Sequence, residues 1–155
     1  FEFYHMIKSE SSSVYWSGFG SSPNKESLRE HYMTLLKTKS RDLYILKESD
    51  IRIGYLCVDK DYGNLEAEIS YGVSEQHAGR GLAKLMIQLG LKKIGDTFKS
   101  YIAWIAESNV PSIKTAIALN FTASETSEYR QLAQSSVAVK FIKYILHNER
   151  HTYEP

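Results

Sequence analysis

Apolar and polar residues change period several times along this chain, and those changes mark its elements. From Leu65 to Val73 the residues alternate, Leu-Glu-Ala-Glu-Ile-Ser-Tyr-Gly-Val, which is the two-residue period of a strand. Beyond a short turn, Leu82, Leu85, Met86, Leu89 and Ile94 recur at helical spacing. Upstream, Glu2–Lys8 reads as a short first strand. Ser9–Ser22 carries Val14, Tyr15, Trp16 and Phe19 at near-helical spacing and reads as a short helix followed by a loop. Ser22-Pro23 offers a cap and a first-turn proline to a helix whose stripe is Leu28, Tyr32, Leu35 and Leu36, ending near Lys39. Leu43–Lys47 and Ile51–Val58 are strands about the turn Glu48-Ser49-Asp50, the second placing Ile51, Ile53, Tyr55 and Cys57 on one face. Lys60–Asn64 is a further turn into the strand that ends at Val73. Three successive strands joined by short turns are antiparallel neighbours. Tyr101–Ala106 is a compact apolar strand. Asn109 then caps a helix with Pro111 in its first turn and Ile113, Ile117 and Ala118 facing inward. Phe121–Ser127 and Val137–Leu146 close the chain, joined by a polar segment around Tyr129–Ser135. The order is β-α-α-β-β-β-α-β-α-β-β: about seven strands and about four helices, in an α/β (α+β) arrangement.

Composition narrows the class without naming it. The chain has 155 residues, 43% hydrophobic and 24% charged, enough for one domain with a core of its own. We expect that domain over residues 1–146, with 147–155 a polar, frayed tail. A net charge of +1 argues for neither a nucleic-acid surface nor a membrane face. No apolar run reaches spanning length, and Phe1–Lys8 is too mixed for a signal peptide. The single Cys57 excludes an internal disulfide and suits a reducing compartment, so a cytoplasmic location is expected. Asn120-Phe121-Thr122 spells a glycosylation acceptor, which without a secretion signal we read as chance. Eleven tyrosines are many for this length, and composition does not explain them.

The chemistry begins in the turn Ser74-Glu-Gln-His-Ala-Gly-Arg-Gly81, which joins the strand to the central helix. Glycines let backbone amides approach a ligand closely. The first-turn N–H groups of a helix are unpaired, and its dipole is positive there. Together they make an anion site suited to a phosphate or pyrophosphate. No Gly-x-x-x-x-Gly-Lys-Ser/Thr string occurs. A dinucleotide fingerprint would need glycine at the position of Lys84, with an acidic residue about 20 residues on.

Val73–Ala83 resembles the acyl-CoA loop of the GNAT superfamily of N-acetyltransferases, Gln/Arg-x-x-Gly-x-Gly/Ala after a strand ending in Val. Gln76, Gly79 and Gly81 match that wording literally. The register Ala78-Gly79-Arg80-Gly81-Leu82-Ala83 sits better on the helix start, and we prefer it, with Ala78 where the family has Gln or Arg. Asn109-x-x-Ser112, followed by Ala118-Leu-Asn-Phe121, resembles the family's second signature, with Asn120 replacing a glycine. Asn tolerates the left-handed helix end nearly as well. Ala67-Glu-Ile-Ser-Tyr71 is similar to a run in the branch holding ribosomal-protein N-terminal and aminosugar acetyltransferases. The element order matches over nearly the whole length, so the resemblance implies a mostly antiparallel, twisted GNAT-like sheet.

The resemblance implies acetyl-CoA as cofactor, leaving as CoA. Amides of Gly79, Arg80, Gly81, Leu82 and Ala83 would hold its pyrophosphate, with Arg80 and Lys84 adding charge. Tyr71 to Val73 would splay from the neighbouring strand and pair with the pantetheine amides, as an added strand does. Asn109 would bond the pantetheine arm and Ser112 would lie near it, although helix capping explains Asn109 equally. Transfer to an amine with a pKa of ~10 needs a base. Glu66, Glu68 and Glu107 are the candidates, with Glu68 nearest the reaction zone. The alternative for Glu66 and Glu68 is a solvated strand face. The family's proton donor to the leaving thiolate falls at Ala116, so Tyr129, Tyr144 or water must replace it, or the thiolate leaves unaided. Tyr71 reads as a packing residue.

The remaining residues add little chemistry. His147 and His151 lack a third ligand, so no metal is expected. His77 reads as exposed, and Cys57, Trp16, Phe19 and Trp104 as core by default, while the resemblance places Trp16 and Phe19 in the segment that walls the acceptor pocket. The expected acceptor is a small-molecule primary amine, first an aminosugar and otherwise a polyamine-like metabolite or a protein N-terminus. No nucleic acid or membrane is expected as partner, and a homodimer is compatible with the family. The rival from another class is a non-catalytic acyl-CoA-binding regulatory module.

Overall fold

The computed structural model describes residues 1–151. Its elements are α1 (Glu2–Lys8), α2 (Ser11–Trp16), α3 (Lys25–Lys37), β1 (Arg41–Glu48), β2 (Ile51–Asp61), β3 (Glu66–Val73), α4 (Leu82–Ile94), β4 (Ser100–Ala106), α5 (Val110–Ala118), β5 (Thr122–Arg130) and β6 (Val139–His147). One six-stranded sheet runs β1-β2-β3-β4-β6-β5. Every pairing is antiparallel except β3 with β4, which α4 connects.

The expected first strand is a helix, which makes five helices and six strands. Seven residues fit either period, and tertiary packing decides. Tyr4 and Ile7, three apart, are both buried, and Tyr4 meets the rings of Tyr32 and Tyr55. Glu2 in the first turn pairs with Lys25 at 2.8 Å. Helix α3 begins later than Ser22-Pro23 suggests, because Asn24 is the cap. Its Oδ1 accepts from the amides of Glu26 and Ser27 at 3.0 Å each. It also ends at Lys37 rather than Lys39.

Helices cover both faces of the sheet's middle, so β2 is buried continuously from Ile53 to Val58 instead of alternating, while Ile51 is exposed. Against one face pack α4 and α5, over Leu56, Val58, Ala67, Ile69, Tyr101 and Ile105. Against the other, Tyr4, Ile7 and Leu28 cover Tyr55. Helix α4 turns Met86, Ile87 and Gly90 inward and leaves Leu85 and Leu89 exposed, against the expected stripe. Gly90 explains the rotation. A Cβ there would lie 2.2 Å from Leu56 Cδ2, so the helix sits on the sheet at its glycine. Likewise α5 buries Ala116, with Leu119 just beyond, and leaves Ile117 and Ala118 exposed. Asn120 takes φ +67 after α5, the left-handed conformation expected for it.

The tail's first residues are tied down. Asn148 N donates to Lys99 O at 2.8 Å, and Arg150 pairs with Asp96 at 2.9 Å. The rest of the expected tail, 152–155, lies outside the described residues.

Candidate functional site

Strands β3 and β4 pair only at Glu66–Ser100, Ala67–Tyr101 and Glu68–Ile102. Beyond that point β3 stays with β2 as far as Val73–Gly54, and β4 stays with β6 as far as Ala106–Phe141. Each strand follows its outer partner, and the sheet opens between them. Backbone direction alternates along a strand, so two bonds set which groups face the opening. Leu65 O accepts from Lys99 N, on the β4 side, and Ser74 N donates to Ile53 O, on the β2 side. Ile69, Tyr71 and Val73 therefore present their amides and carbonyls to the gap. On β4, Lys99 O and Glu107 N engage the β6 side, which turns Trp104 toward the gap. A cleft of about 480 Å³ occupies this opening.

At its head lies the glycine turn. After a 3₁₀ turn, Glu75–His77, Gly79 and Gly81 both take positive φ, +76 and +72. Nothing lies within 4 Å of a Cβ added at either, so conformation rather than crowding requires glycine. Gly81 is the N-cap of α4 and offers no side-chain bond, which leaves the first-turn amides open. The turn is pinned from behind. Glu10 accepts from Ser74 Oγ at 2.9 Å and Glu75 N at 3.0 Å, while Glu75 Oε1 accepts from Ser11 Oγ, Ser12 N and Ser12 Oγ. Arg80 reaches sideways to Glu48, at 3.3 Å, and to His77 Nδ1, so part of its charge is already matched. Lys84, Gln76 and Ala78 are exposed, and Ala83 lines the cleft.

Asn109 caps α5 by accepting from Ser112 N at 3.4 Å, and both residues line the cleft. Tyr71 OH and Ser112 Oγ lie 2.6 Å apart, linking β3 to α5. Burial raises the Tyr71 pKa, against a lowering by the Ser112 bond. Tyr71 is thus both a packed residue and a cleft hydroxyl. The other tyrosine candidates lie elsewhere: Tyr129 is 69% exposed on β5, and Tyr144 is in the core.

Of the three carboxylates, Glu68 alone lines the cleft. Desolvation first, then the negative charge of Asp59, raises its pKa, and Arg130 opposes the rise. Glu66 lines a separate recess beside Arg41 and Asp59. Glu107 is exposed just past β4, its amide bonded to Lys140 O. Trp16 lines the cleft, whereas Phe19 lines a neighbouring groove.

Sequence reasoning missed Lys8, Arg130 and Phe141, and took Trp104 for core. All four line the cleft. Arg130 lies 4.3 Å from the Phe141 ring centroid and 5.8 Å from that of Trp104, and forms an ion pair with Glu128. No local motif marks these residues, because they converge from α1, β4, β5 and β6. Cys57 is buried and free, with its thiol pKa raised chiefly by burial. Among the described residues no His/Cys/Asp/Glu cluster could hold a metal ion, and the side chain of His151 lies outside them.

A splayed parallel pair with open edges, headed by a glycine turn on a helix N-terminus, forms a groove of the shape and chemistry that suit a long phosphate-bearing ligand laid across a sheet. Residues 9–121 match the acetyltransferase (GNAT) family. The chain belongs to that family. No curated protein matches it. Solved structures match it in fold. The spermidine N-acetyltransferase of Vibrio cholerae, in complex with CoA and spermine, is 14% identical with a TM-score of 0.84, over 97% of this chain and 91% of that one. An N-acetyltransferase from Staphylococcus aureus Mu50 is 15% identical with a TM-score of 0.76, over 94% and 92%. A ribosomal L7/L12 α-N-protein acetyltransferase in complex with CoA is 16% identical with a TM-score of 0.69, over 81% and 74%. No described helix is long and apolar enough to cross a membrane.

Proposed function

We propose that this protein transfers an acetyl group from acetyl-CoA to a primary amine of a small molecule, such as an aminosugar, within a direct ternary complex. The observation that carries this is the β3–β4 opening beside the turn of Gly79 and Gly81. The residues present fit the cofactor. The uncapped first-turn amides of α4 suit a pyrophosphate, and the edge groups of Ile69, Tyr71, Val73 and Trp104 suit an amide-bearing arm laid between strands. Asn109 and Ser112 stand beside that arm's path. When bound, acetyl-CoA would supply the activated thioester. Glu68 takes the proton from the acceptor nitrogen, and its raised pKa makes it a stronger base than an ordinary glutamate. Tyr71, kept protonated by burial, gives a proton to the departing sulfur in place of the residue missing at Ala116. A protein N-terminus as acceptor is a second reading, supported by the likeness to the ribosomal L7/L12 acetyltransferase. The buried, unpaired Cys57 supports a reducing compartment such as the cytoplasm.

The test is thermal stabilisation by acetyl-CoA. At a hundred times its Kd, a ligand stabilises by about 2.7 kcal/mol, which raises Tm by roughly 5–10 °C in a domain of this size. Gly81→Ala adds only the strain of a positive φ and should keep most of the shift. Gly81→Glu sets a carboxylate in the anion site and should abolish it. A shift that survives Gly81→Glu, or none in the wild type, contradicts the proposal.

A further inference from the structure

Three charged side chains line the cleft among the described residues: Lys8, Glu68 and Arg130. Arg130 is matched by Glu128 and stacked on Phe141. Lys8 is not matched by a carboxylate. Its Nζ donates to Tyr55 OH at 3.4 Å and stands 5.3 Å from the centroid of that ring, and among the described residues no acidic group pairs with it. Tyr55 in turn packs on Gly72, within the splayed part of β3, where a Cβ would lie 2.8 Å from the ring. Lys8 therefore stands against the wall of the opening itself.

It also occupies a junction. A second groove, of about 480 Å³ and lined by Tyr4, Phe19, Pro23, Leu28 and His31, meets the cleft, and Lys8 is the residue that lines both. A partly buried ammonium without a counter-charge is unfavourable and is expected to persist only where function uses it. Burial lowers the Lys8 pKa, in agreement with that isolation.

We infer that the acceptor is a primary amine that also carries an anionic group, a carboxylate or a phosphate, which Lys8 binds where the cleft meets the groove. The inference rests on the acetyltransferase reading above. Glu68 receives the amine end and Lys8 the anionic end, so the acceptor is held at both. A bound anion supplies the missing counter-charge through a charge-assisted hydrogen bond, which is stronger than a neutral one. A polyamine would instead bring further positive charge against Lys8 and Arg130. On this point the cleft differs from what binding of spermine by its structural neighbour would suggest.

The test uses paired amines with and without the anion: glucosamine 6-phosphate against glucosamine, and alanine against alaninamide, at a pH where both amines of a pair are mainly protonated, with spermidine as the polycation. Binding to the protein is measured by calorimetry with CoA present, and turnover by CoA release from acetyl-CoA. At least one anionic amine should bind about tenfold or more tightly than its neutral twin, in keeping with a hydrogen bond between charged groups. The pair that shows the difference identifies phosphate or carboxylate. Lys8→Met should reduce the preference to about twofold or less, and Lys8→Arg should keep most of it. Lys8→Met removes a desolvated charge but also the bond to Tyr55 OH, so a thermal melt checks that the variant is folded before its preference is read. Equal binding within both pairs, tighter binding of spermidine, or a preference untouched by Lys8→Met overturns the inference. If acetyl-CoA stabilises the protein in the Gly81-dependent manner while these results fail, the transferase reading stands without it. Loss of the acetyl-CoA effect would remove both.

Discussion

Glu68 and Tyr71 lie three residues apart on β3, on opposite faces of the sheet, and the cleft passes between those faces. The roles proposed for them predict a pH profile. Activity rises as Glu68 loses its proton, at a pH above the ordinary glutamate value, since its pKa is raised. It falls only as Tyr71 loses its own, above the ordinary tyrosine value. Glu68→Gln should lower kcat by ~10²–10⁴-fold near neutrality, leave acetyl-CoA affinity nearly unchanged, and recover at high pH, where the amine is already neutral. Tyr71→Phe should remove the alkaline limb. The linkage sign supplies a second readout for Glu68. A carboxylate whose pKa is raised by folding is a liability above that pKa and none below the unfolded value of 4.5. Glu68→Gln should therefore be at least as stable as wild type at neutral pH, with any gain vanishing on acidification. A structural role would instead destabilise the protein without pH rescue of the rate.

At the scale of elements, the turn before α4 is held by the segment joining α1 to α2. Glu10 satisfies the buried hydroxyl of Ser74 and the amide of Glu75, and Glu75 returns the contact to Ser11 and Ser12. Glu10→Ala leaves Ser74 buried without its acceptor and should cost about 1–3 kcal/mol. Because Trp16 lies at the end of α2, the same change should raise the acceptor KM more than it changes kcat. Denaturant melts and initial-rate kinetics check both, and an unchanged KM would mean that α2 is positioned by its own packing. None of this pairing is legible in the sequence, since Glu10 and Ser74 are brought together only by the fold. The Gly79–Gly81 turn was legible because left-handed backbone selects glycine locally, and Asn109 because a cap acts within one turn. The helical character of Glu2–Lys8 was not, since seven residues satisfy two periods. The inward face of α4 was misjudged because Gly90, not a leucine, makes its close approach to Leu56.

For the whole molecule, the three antiparallel neighbours β1, β2 and β3 were readable from alternation and short turns, while the place of β6 between β4 and β5 and the composition of the cleft were not. The cleft's Lys8, Trp104, Arg130 and Phe141 come from four elements, the last three made neighbours by the pairing of β4, β6 and β5. A crystal structure with CoA decides whether the β3–β4 opening holds the cofactor. The pyrophosphate should lie on the amides of Gly79 to Ala83 and the pantetheine arm between Tyr71–Val73 and Trp104, beside Asn109. CoA bound elsewhere, with the β3 and β4 edges still facing each other empty, would contradict the proposal.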